Sequence, residues 1–441
     1  MVSRVRGMPP IKLDEYRWRS TPNDPTLRVR RACATEAMFG IEASNRRGEN
    51  DFFIAVTIHF QASSVASRVL TLRDLERMTQ SSLVQLRASQ PQVAVNLSWD
   101  RQGKCMLQYR APVDLNEACQ WAASIVTAEA SPCRLMDMRD HVEEKKRASG
   151  ITARNDAITI YISAPVSGLH STLENSKLHY LFRFNHCLFD GIAAREIVRM
   201  FFQNLVSDIY SDTLTTNRDI HWEQTISNLP PAFVELMDSE QDLSGSKFDR
   251  TVHDHMTLMK KKVAFHQCLL EYIEIFHIKR LSPARPQTEF YTFAETDSQS
   301  ILSGIRTRLQ PGHSITHLAT GAVLLALTKG DIARNATIFS SISVIDGRRY
   351  LKEGYKQGEK LYIASCQTPA ILVFENIDKL SISDISSKDE VRQKLKKATE
   401  LAKECFASNL ATPCKLSMSV PVMEFGAVLA AMYVSFGISQ K

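Results

Sequence analysis

A chain of 441 residues is long enough for two domains or one large pseudo-symmetric unit, and 44% hydrophobic with 23% charged residues excludes a disordered or fibrous protein. The net charge of +6 is too mild and too dispersed to make nucleic acid the default partner, although it suits a polyanionic cofactor. Nine cysteines, odd in number, scattered and without a CxxC pair, indicate neither a disulfide framework nor a zinc site, and reduced thiols in an intracellular compartment are the simpler reading.

Residues 1–12 are basic and contain prolines but no apolar h-region, so no secretory signal is expected and the sequons at Asn96 and Asn335 carry little weight. Residues 51–60 form a dense β-type run. A helix follows over 72–86, where Leu72, Leu75, Leu83 and Leu86 recur at helical spacing and Pro91 sets the limit. Residues 93–99 and 105–109 read as a hairpin around the turn cluster Asp100-Arg101-Gln102-Gly103. Strands are predicted over 157–163 and 178–185, then an amphipathic helix over 191–205 with Ile197, Met200, Phe201 and Leu205 on one stripe.

The texture changes over 206–282, with alternating acidic, polar and aromatic patches, Pro230-Pro231 and the run Lys260-Lys261-Lys262. This segment reads as a partly helical crossover. Beyond it come a strand over 289–293, a helix over 316–328, strands over 339–345 and 361–366, a charged helix over 388–406 and a closing apolar stretch over 425–438. That stretch is shorter than the roughly 20 residues a membrane span needs, so no span is expected. Strand-then-helix units without regular βα alternation favour an α+β fold with mixed or antiparallel sheets. Expected domains are an N-terminal half (1–205), the crossover (206–282) and a C-terminal half (283–441).

The clearest chemical signal is His186-x-x-x-Asp190-Gly191. Tyr180, Phe182, Phe184 and His186 share a face by strand parity and Cys187 faces the other way, so His186-Cys187 is no dyad. His186 sits at a strand end, from which its side chain can project into a cleft, and Gly191 offers a turn position tolerant of unusual φ. An alcohol is a weak nucleophile towards a thioester, and a neutral imidazole near pH 7 can take its proton during attack. His186 is therefore the expected general base; the plainer reading is a core histidine satisfied at a sheet end. Asp190 belongs to the same catalytic pair without needing to touch His186, because a loop carboxylate paired with an arginine would fix the loop's shape.

These residues, in a chain of this length, resemble the CoA-dependent acyltransferase superfamily of chloramphenicol acetyltransferase, the plant BAHD enzymes and nonribosomal peptide condensation domains. Overall texture, from Trp18 onward, is similar to fungal O-acetyltransferases of the trichothecene 15-O-acetyltransferase kind. Residues 344–351 resemble the family's second-half strand, whose arginine pairs with the motif aspartate. That likeness assigns Arg348 as partner of Asp190, with Arg349 as the fallback. Residues 316–327 resemble the helix that opens the second half.

The resemblance implies two chloramphenicol-acetyltransferase-like domains, each a mixed sheet flanked by helices, with the active site at their interface. It implies direct transfer of an acyl group, acetyl by preference, from acyl-CoA to a hydroxyl of a secondary metabolite, without metal and without acyl-enzyme. Implied partners are acetyl-CoA and a small alcohol acceptor, with a cytoplasmic monomer and neither nucleic acid nor membrane involved. Ser341 and Ser343 are candidate oxyanion donors, against the reading as ordinary strand serines. Two departures matter. Asn185 stands where condensation domains carry a second histidine, which argues against the alternative of a carrier-protein-bound acyl donor. The Asp-Phe-Gly-Trp-Gly motif is missing, with partial matches only at Glu424-Phe425-Gly426 and Ser435-Phe436-Gly437, so a shortened C-terminal half, or a decayed homologue, is the further alternative.

Weaker signals have plainer readings. His253-Asp254-His255 has ligand-like spacing but no third ligand nearby and reads as a solvated loop. Ser244-Gly245-Ser246-Lys247 matches S-x-x-K but reads as a flexible linker. Lys260, Lys261 and Lys262 could meet CoA phosphates but suit a solvated face, and Trp222 and Phe233 could line an acceptor pocket but suit packing. The absence of G-x-S-x-G, G-x-G-x-x-G, P-loop and H-E-x-x-H patterns removes the main support for hydrolase, Rossmann, NTPase and zincin readings.

Overall fold

A computed structural model describes residues 11–60, 69–132, 134–149, 155–210, 220–237, 243–259, 291–309, 311–329, 337–356, 358, 361–382, 386–412 and 414–427. The lysine run 260–262, the match at 435–437, most of the closing stretch 425–438, and Cys133 and Cys268 lie outside them. The fold is α+β and divides into two compact units, each drawn from separate stretches of sequence. One gathers Pro9–Leu243, Asp346–Gln367 and Leu416–Lys441; the other gathers Ser244–Ile345 and Thr368–Lys415.

The first unit holds two four-stranded sheets. In one, β1 (Arg19–Thr21), β2 (Asp24–Arg31), β4 (Asn96–Trp99) and β5 (Cys105–Arg110) run in the antiparallel order β1-β2-β5-β4. The hairpin between β4 and β5 turns on Asp100, whose carboxylate accepts from the N–H groups of Gln102 and Lys104 at 2.8 and 2.9 Å. In the other, β3 (Asp51–His59), β6 (Val126–Ala130), β7 (Ile158–Ala164) and β8 (Lys177–Asn185) take the order β3-β8-β7-β6, mixed because only β6 and β7 run parallel.

β8 is therefore a central strand, and its continuous run of buried residues follows from being covered on both faces. Tyr180, Phe182 and Phe184 stack along one face, and Tyr180 and Phe182 meet Phe201 and Phe202 of the helix Gly191–Tyr210 edge-on. The helix Leu72–Ser89 packs on Gly191–Tyr210 and starts from a capping box in which Thr71 and Asp74 satisfy each other's backbone N–H.

In the second unit β9 (Ile338–Asp346) pairs with β10 (Gln367–Glu375), and the helix Ile315–Lys329 packs against Lys388–Ala411. Gly321 lets those two backbones approach: a Cβ there would sit 2.9 Å from the amide nitrogen of Thr399. Two expected strands are corrected. Residues 361–366 are irregular and the strand begins only at Gln367, while 291–293 are extended coil leading into the helix Glu295–Arg308, with 289 and 290 outside the described residues. Residues 246–259 are helical rather than a loop, so His255 is buried and Lys247 of the S-x-x-K match lies on a helix. Trp222 and Phe233 are buried in apolar clusters of the first unit. Among the described residues no helix is long and apolar enough to cross a membrane.

Candidate active site

β8 ends at Asn185, and the following turn is wound around that residue. The Asn185 carbonyl accepts from the N–H groups of Leu188 and Phe189 at 3.0 and 3.2 Å. Its side-chain oxygen accepts from the N–H of Cys187 at 3.1 Å and from Nδ2 of Asn45 at 3.1 Å. Asn185 thus fixes the geometry of the residue beside it.

His186 is half-buried at the head of this turn. Its Nδ1 lies 2.9 Å from the carbonyl oxygen of Phe189. A carbonyl can only accept, so this bond assigns the proton to Nδ1 and leaves Nε2 of the neutral ring as a bare lone pair. Among the described residues Nε2 has no hydrogen-bond partner. Phe39 stacks on the imidazole, with ring centroids 4.1 Å apart and planes 15° apart, and Phe52 leans against it at 4.9 Å. Burial holds the His186 pKa below its ordinary value, against the opposing pull of the Phe189 carbonyl and of the Asp190 and Asp51 charges. The ring is thereby kept neutral near pH 7, as a base must be.

Cys187 points away. Its buried Sγ donates to the Glu36 carbonyl at 3.1 Å, and burial together with Cys105 pushes its thiol pKa well up, so it is no nucleophile.

Asp190 is 4% exposed and makes no hydrogen bond with His186. Its Oδ1 accepts from the N–H groups of Ile192 and Ala193 at 3.1 and 2.8 Å, which caps the helix Gly191–Tyr210. Arg348 grips both oxygens, Nη1 to Oδ2 at 2.9 Å and Nη2 to Oδ1 at 3.0 Å, and the N–H of Cys366 donates to Oδ2 at 2.9 Å. Arg348 is 1% exposed and gives its remaining donors to Asp346 Oδ1 (3.0 Å), the Tyr362 carbonyl (2.7 Å) and the Ala364 carbonyl (2.8 Å). Burial works against its charge, yet Asp190, with smaller help from Cys366 and Asp346, raises its pKa overall. The N–H of Ser365 donates to the Leu188 carbonyl at 3.0 Å, joining the same segment to the His186 turn. These bonds explain why 361–366 is no strand: its carbonyls and amides serve Arg348, Asp190 and Leu188 instead of a ladder.

Of the residues singled out in the sequence, His186, Asp190, Gly191 and Arg348 thus lie in one unit on joined segments, and the exposed Arg349 takes no part. Gly191 differs from expectation. It is the first residue of the helix, its φ lies outside the left-handed region, and a Cβ would meet nothing within 4 Å. Asp190 already turns the chain by capping, so no unusual φ is required. Ser341 and Ser343 lie half-buried on β9 in the other unit.

Three features around the site had no local sequence signal. Glu36 forms a buried two-pronged pair with Arg30 at 2.6 and 2.7 Å, Phe39 covers the imidazole, and Asp51, at the start of β3, pairs with Lys146 at 2.7 Å and Arg183 at 2.6 Å. The contacts of Phe39 and Asp51 join positions that only tertiary folding brings together, while Arg30 and Glu36, six residues apart, meet across the turn at Ala34. Among the described residues no group of three His, Cys, Asp or Glu could hold a metal ion.

The model of the 15-O-acetyltransferase Tri3 family matches residues 8–427. The chain is 27% identical over 434 residues to the trichothecene 15-O-acetyltransferase TRI3 of Fusarium sporotrichioides, covering 96% of this chain and 80% of that protein. It is 26% identical over 460 residues to the trichothecene O-acetyltransferase TRI3 of Trichoderma arundinaceum, covering 100% of this chain and 86% of the relative. The solved structure of TRI3 from F. sporotrichioides superposes with a TM-score of 0.84 at 26% identity, over 97% of this chain and 81% of that one, so the α+β fold is shared.

Proposed function

The chain belongs to the 15-O-acetyltransferase Tri3 family, and on that premise we propose that it transfers the acetyl group of acetyl-CoA to a hydroxyl of a trichothecene, with His186 as general base. The observation that carries this reading is the half-buried imidazole whose Nδ1 is held by the Phe189 carbonyl and whose Nε2 has no hydrogen-bond partner among the described residues. Acetyl-CoA supplies the acetyl group as an activated thioester. Nε2 of His186 takes the acceptor's hydroxyl proton as that oxygen bonds to the thioester carbonyl carbon. The carbon–sulfur bond then breaks, and His186 returns the proton to the departing thiolate, leaving ester, free CoA thiol and a neutral ring.

Asp190 contributes through the turn: capped to the helix and clamped by Arg348, it fixes the segment that aims His186. The family match supports a free-standing acetyltransferase over the condensation-type reading with a carrier-bound donor.

The test is thiol release from acetyl-CoA in the presence of a trichothecene alcohol, with the acetylated product identified by mass. His186→Ala should lower kcat by a factor of about 10²–10⁴. Because burial lowers the His186 pKa from 6.5, kcat/KM should fall on the acid side with a midpoint below that value. An unimpaired His186→Ala enzyme would remove the base assignment.

A further inference from the structure

We propose that Phe39 is a positioning residue for His186, fixing the plane of its imidazole and presenting a π face to the imidazolium that forms during transfer; this rests on the reading of His186 as the base. The parallel stack, 4.1 Å between centroids and 15° between planes, is the closest aromatic contact the imidazole makes among the described residues. A ring in that position limits rotation of the imidazole about its bond to Cβ, and so holds Nε2 on one bearing. Cations favour the face of an aromatic ring over its edge, so the same contact that packs the neutral imidazole also stabilises its protonated form.

Phe39 is itself held unusually firmly. It ends the one-turn helix Thr35–Phe39, which leaves β2 through Ala34, a non-glycine residue at φ 51. That conformation is disfavoured for a side chain with a Cβ. Glu36 overrides it by accepting from the N–H of Cys33 at 2.8 Å while gripping Arg30 with both oxygens. At the other end, the Phe39 carbonyl accepts from Nδ2 of Asn45 at 3.3 Å and Nδ2 of Asn50 at 3.2 Å, and the Gly40 carbonyl accepts from the Trp99 indole at 2.7 Å. Asn45 also bonds to Asn185, the residue before His186. The element that carries Phe39 and the turn that carries His186 are thus tied together by side chains as well as by the stack.

The charged groups around the imidazole are already paired. Asp190 on its own turn is bound to Arg348, Asp51 on β3 to Lys146 and Arg183, and Glu36 on the Phe39 element to Arg30. The stacked ring therefore adds to the pull that the Phe189 carbonyl and these partly neutralised carboxylates exert on a transient imidazolium.

The experiment compares Phe39→Leu with Phe39→Tyr in the full chain. NMR follows the His186 Cε1–H resonance against pH, assigned with His186→Gln, and kinetics follow acetyl transfer. Phe39→Leu, similar in bulk but without a π face, should lower the imidazole pKa by about half a unit. It should also lower kcat about threefold to tenfold, with KM for acetyl-CoA within about twofold; Phe39→Tyr should restore both. A Phe39→Leu protein that titrates like the parent, or a Phe39→Tyr protein as impaired as Phe39→Leu, overturns the proposal. The titration needs no turnover, so a failure of the general-base reading, seen as activity in His186→Ala, is distinguishable from a failure of the stack.

Discussion

Arg348 can be a buried cation in this fold because each of its five N–H groups has an acceptor: both Asp190 oxygens, Asp346, and the carbonyls of Tyr362 and Ala364. Such an arrangement is weak evidence for net stabilisation, since desolvating two charges offsets much of their attraction. Removing one partner is a different matter. Asp190→Asn turns an amide N–H towards the guanidinium and leaves a buried cation with only the partly exposed Asp346 carboxylate beside it. The expected loss is about 3–5 kcal/mol in denaturant unfolding, with a fall in kcat as the His186 turn loosens. Asp190→Asn with Arg348→Met should recover part of the stability but not the activity, because the acceptor for the Cys366 N–H and the donors to the Tyr362 and Ala364 carbonyls are still lost, although the amide oxygen can keep the cap. A single Asp190→Asn variant within about 1 kcal/mol of the parent would show that the pair does not hold this turn.

At the scale of elements, the strand–turn–helix that carries the site was readable because each part has its own local signal. The alternating aromatics of β8, the His-x-x-x-Asp-Gly spacing and the apolar stripe of Gly191–Tyr210 all lie within 34 residues of chain from Lys177 to Tyr210. Arg348 was found only through resemblance, and its selection over Arg349 follows physically from burial, which the sequence does not encode locally. Residues 361–366 show the opposite failure: Leu-Tyr-Ile-Ala-Ser-Cys has the composition of a strand, but its backbone groups are taken by two buried side chains, Arg348, 14 and 16 positions earlier, and Asp190, 176 positions earlier. The glycines give a sharp test of the same distinction. Gly191, at ordinary φ with open space around it, should accept alanine with stability unchanged or raised by up to about 1 kcal/mol. Gly48 combines φ +72 with a Cβ position 2.8 Å from the Lys146 chain and 2.9 Å from the Asp51 carboxylate. Gly48→Ala should cost about 1–3 kcal/mol. Thermal melts that rank the two alanines the other way round would contradict this account of the motif.

At the scale of the molecule, acid response should be concentrated in the unit made of Ser244–Ile345 and Thr368–Lys415. His255 lies there, 3% exposed, with neither ring nitrogen hydrogen-bonded among the described residues. Burial first, and then the nearby Lys415 ammonium, pull its pKa from 6.5 to about 4. A histidine that is neutral when folded and titrates near its ordinary value when unfolded makes the unfolded chain bind more protons throughout that interval. Its stability contribution is therefore complete above pH 6.5 and drains away as pH falls towards 4, by at most about 3.5 kcal/mol at about 1.4 kcal/mol per pKa unit. His255→Leu removes the titration and two unsatisfied nitrogens together. Its unfolding free energy, read between pH 7.5 and 4.5 by hydrogen exchange in the helices Ile315–Lys329 and Lys388–Ala411, should decline less steeply than that of the parent. Other histidines with depressed pKa, His186 and His317 among them, contribute to both proteins, so the difference between the two slopes isolates His255. Lys415, whose own pKa burial lowers to about 8, is mostly charged at pH 7.5 and fully charged below about pH 6, so it contributes little to the difference over the acid part of this window. Equal slopes would mean that protonation of His255 is met by a partner or by water that relieves its burial.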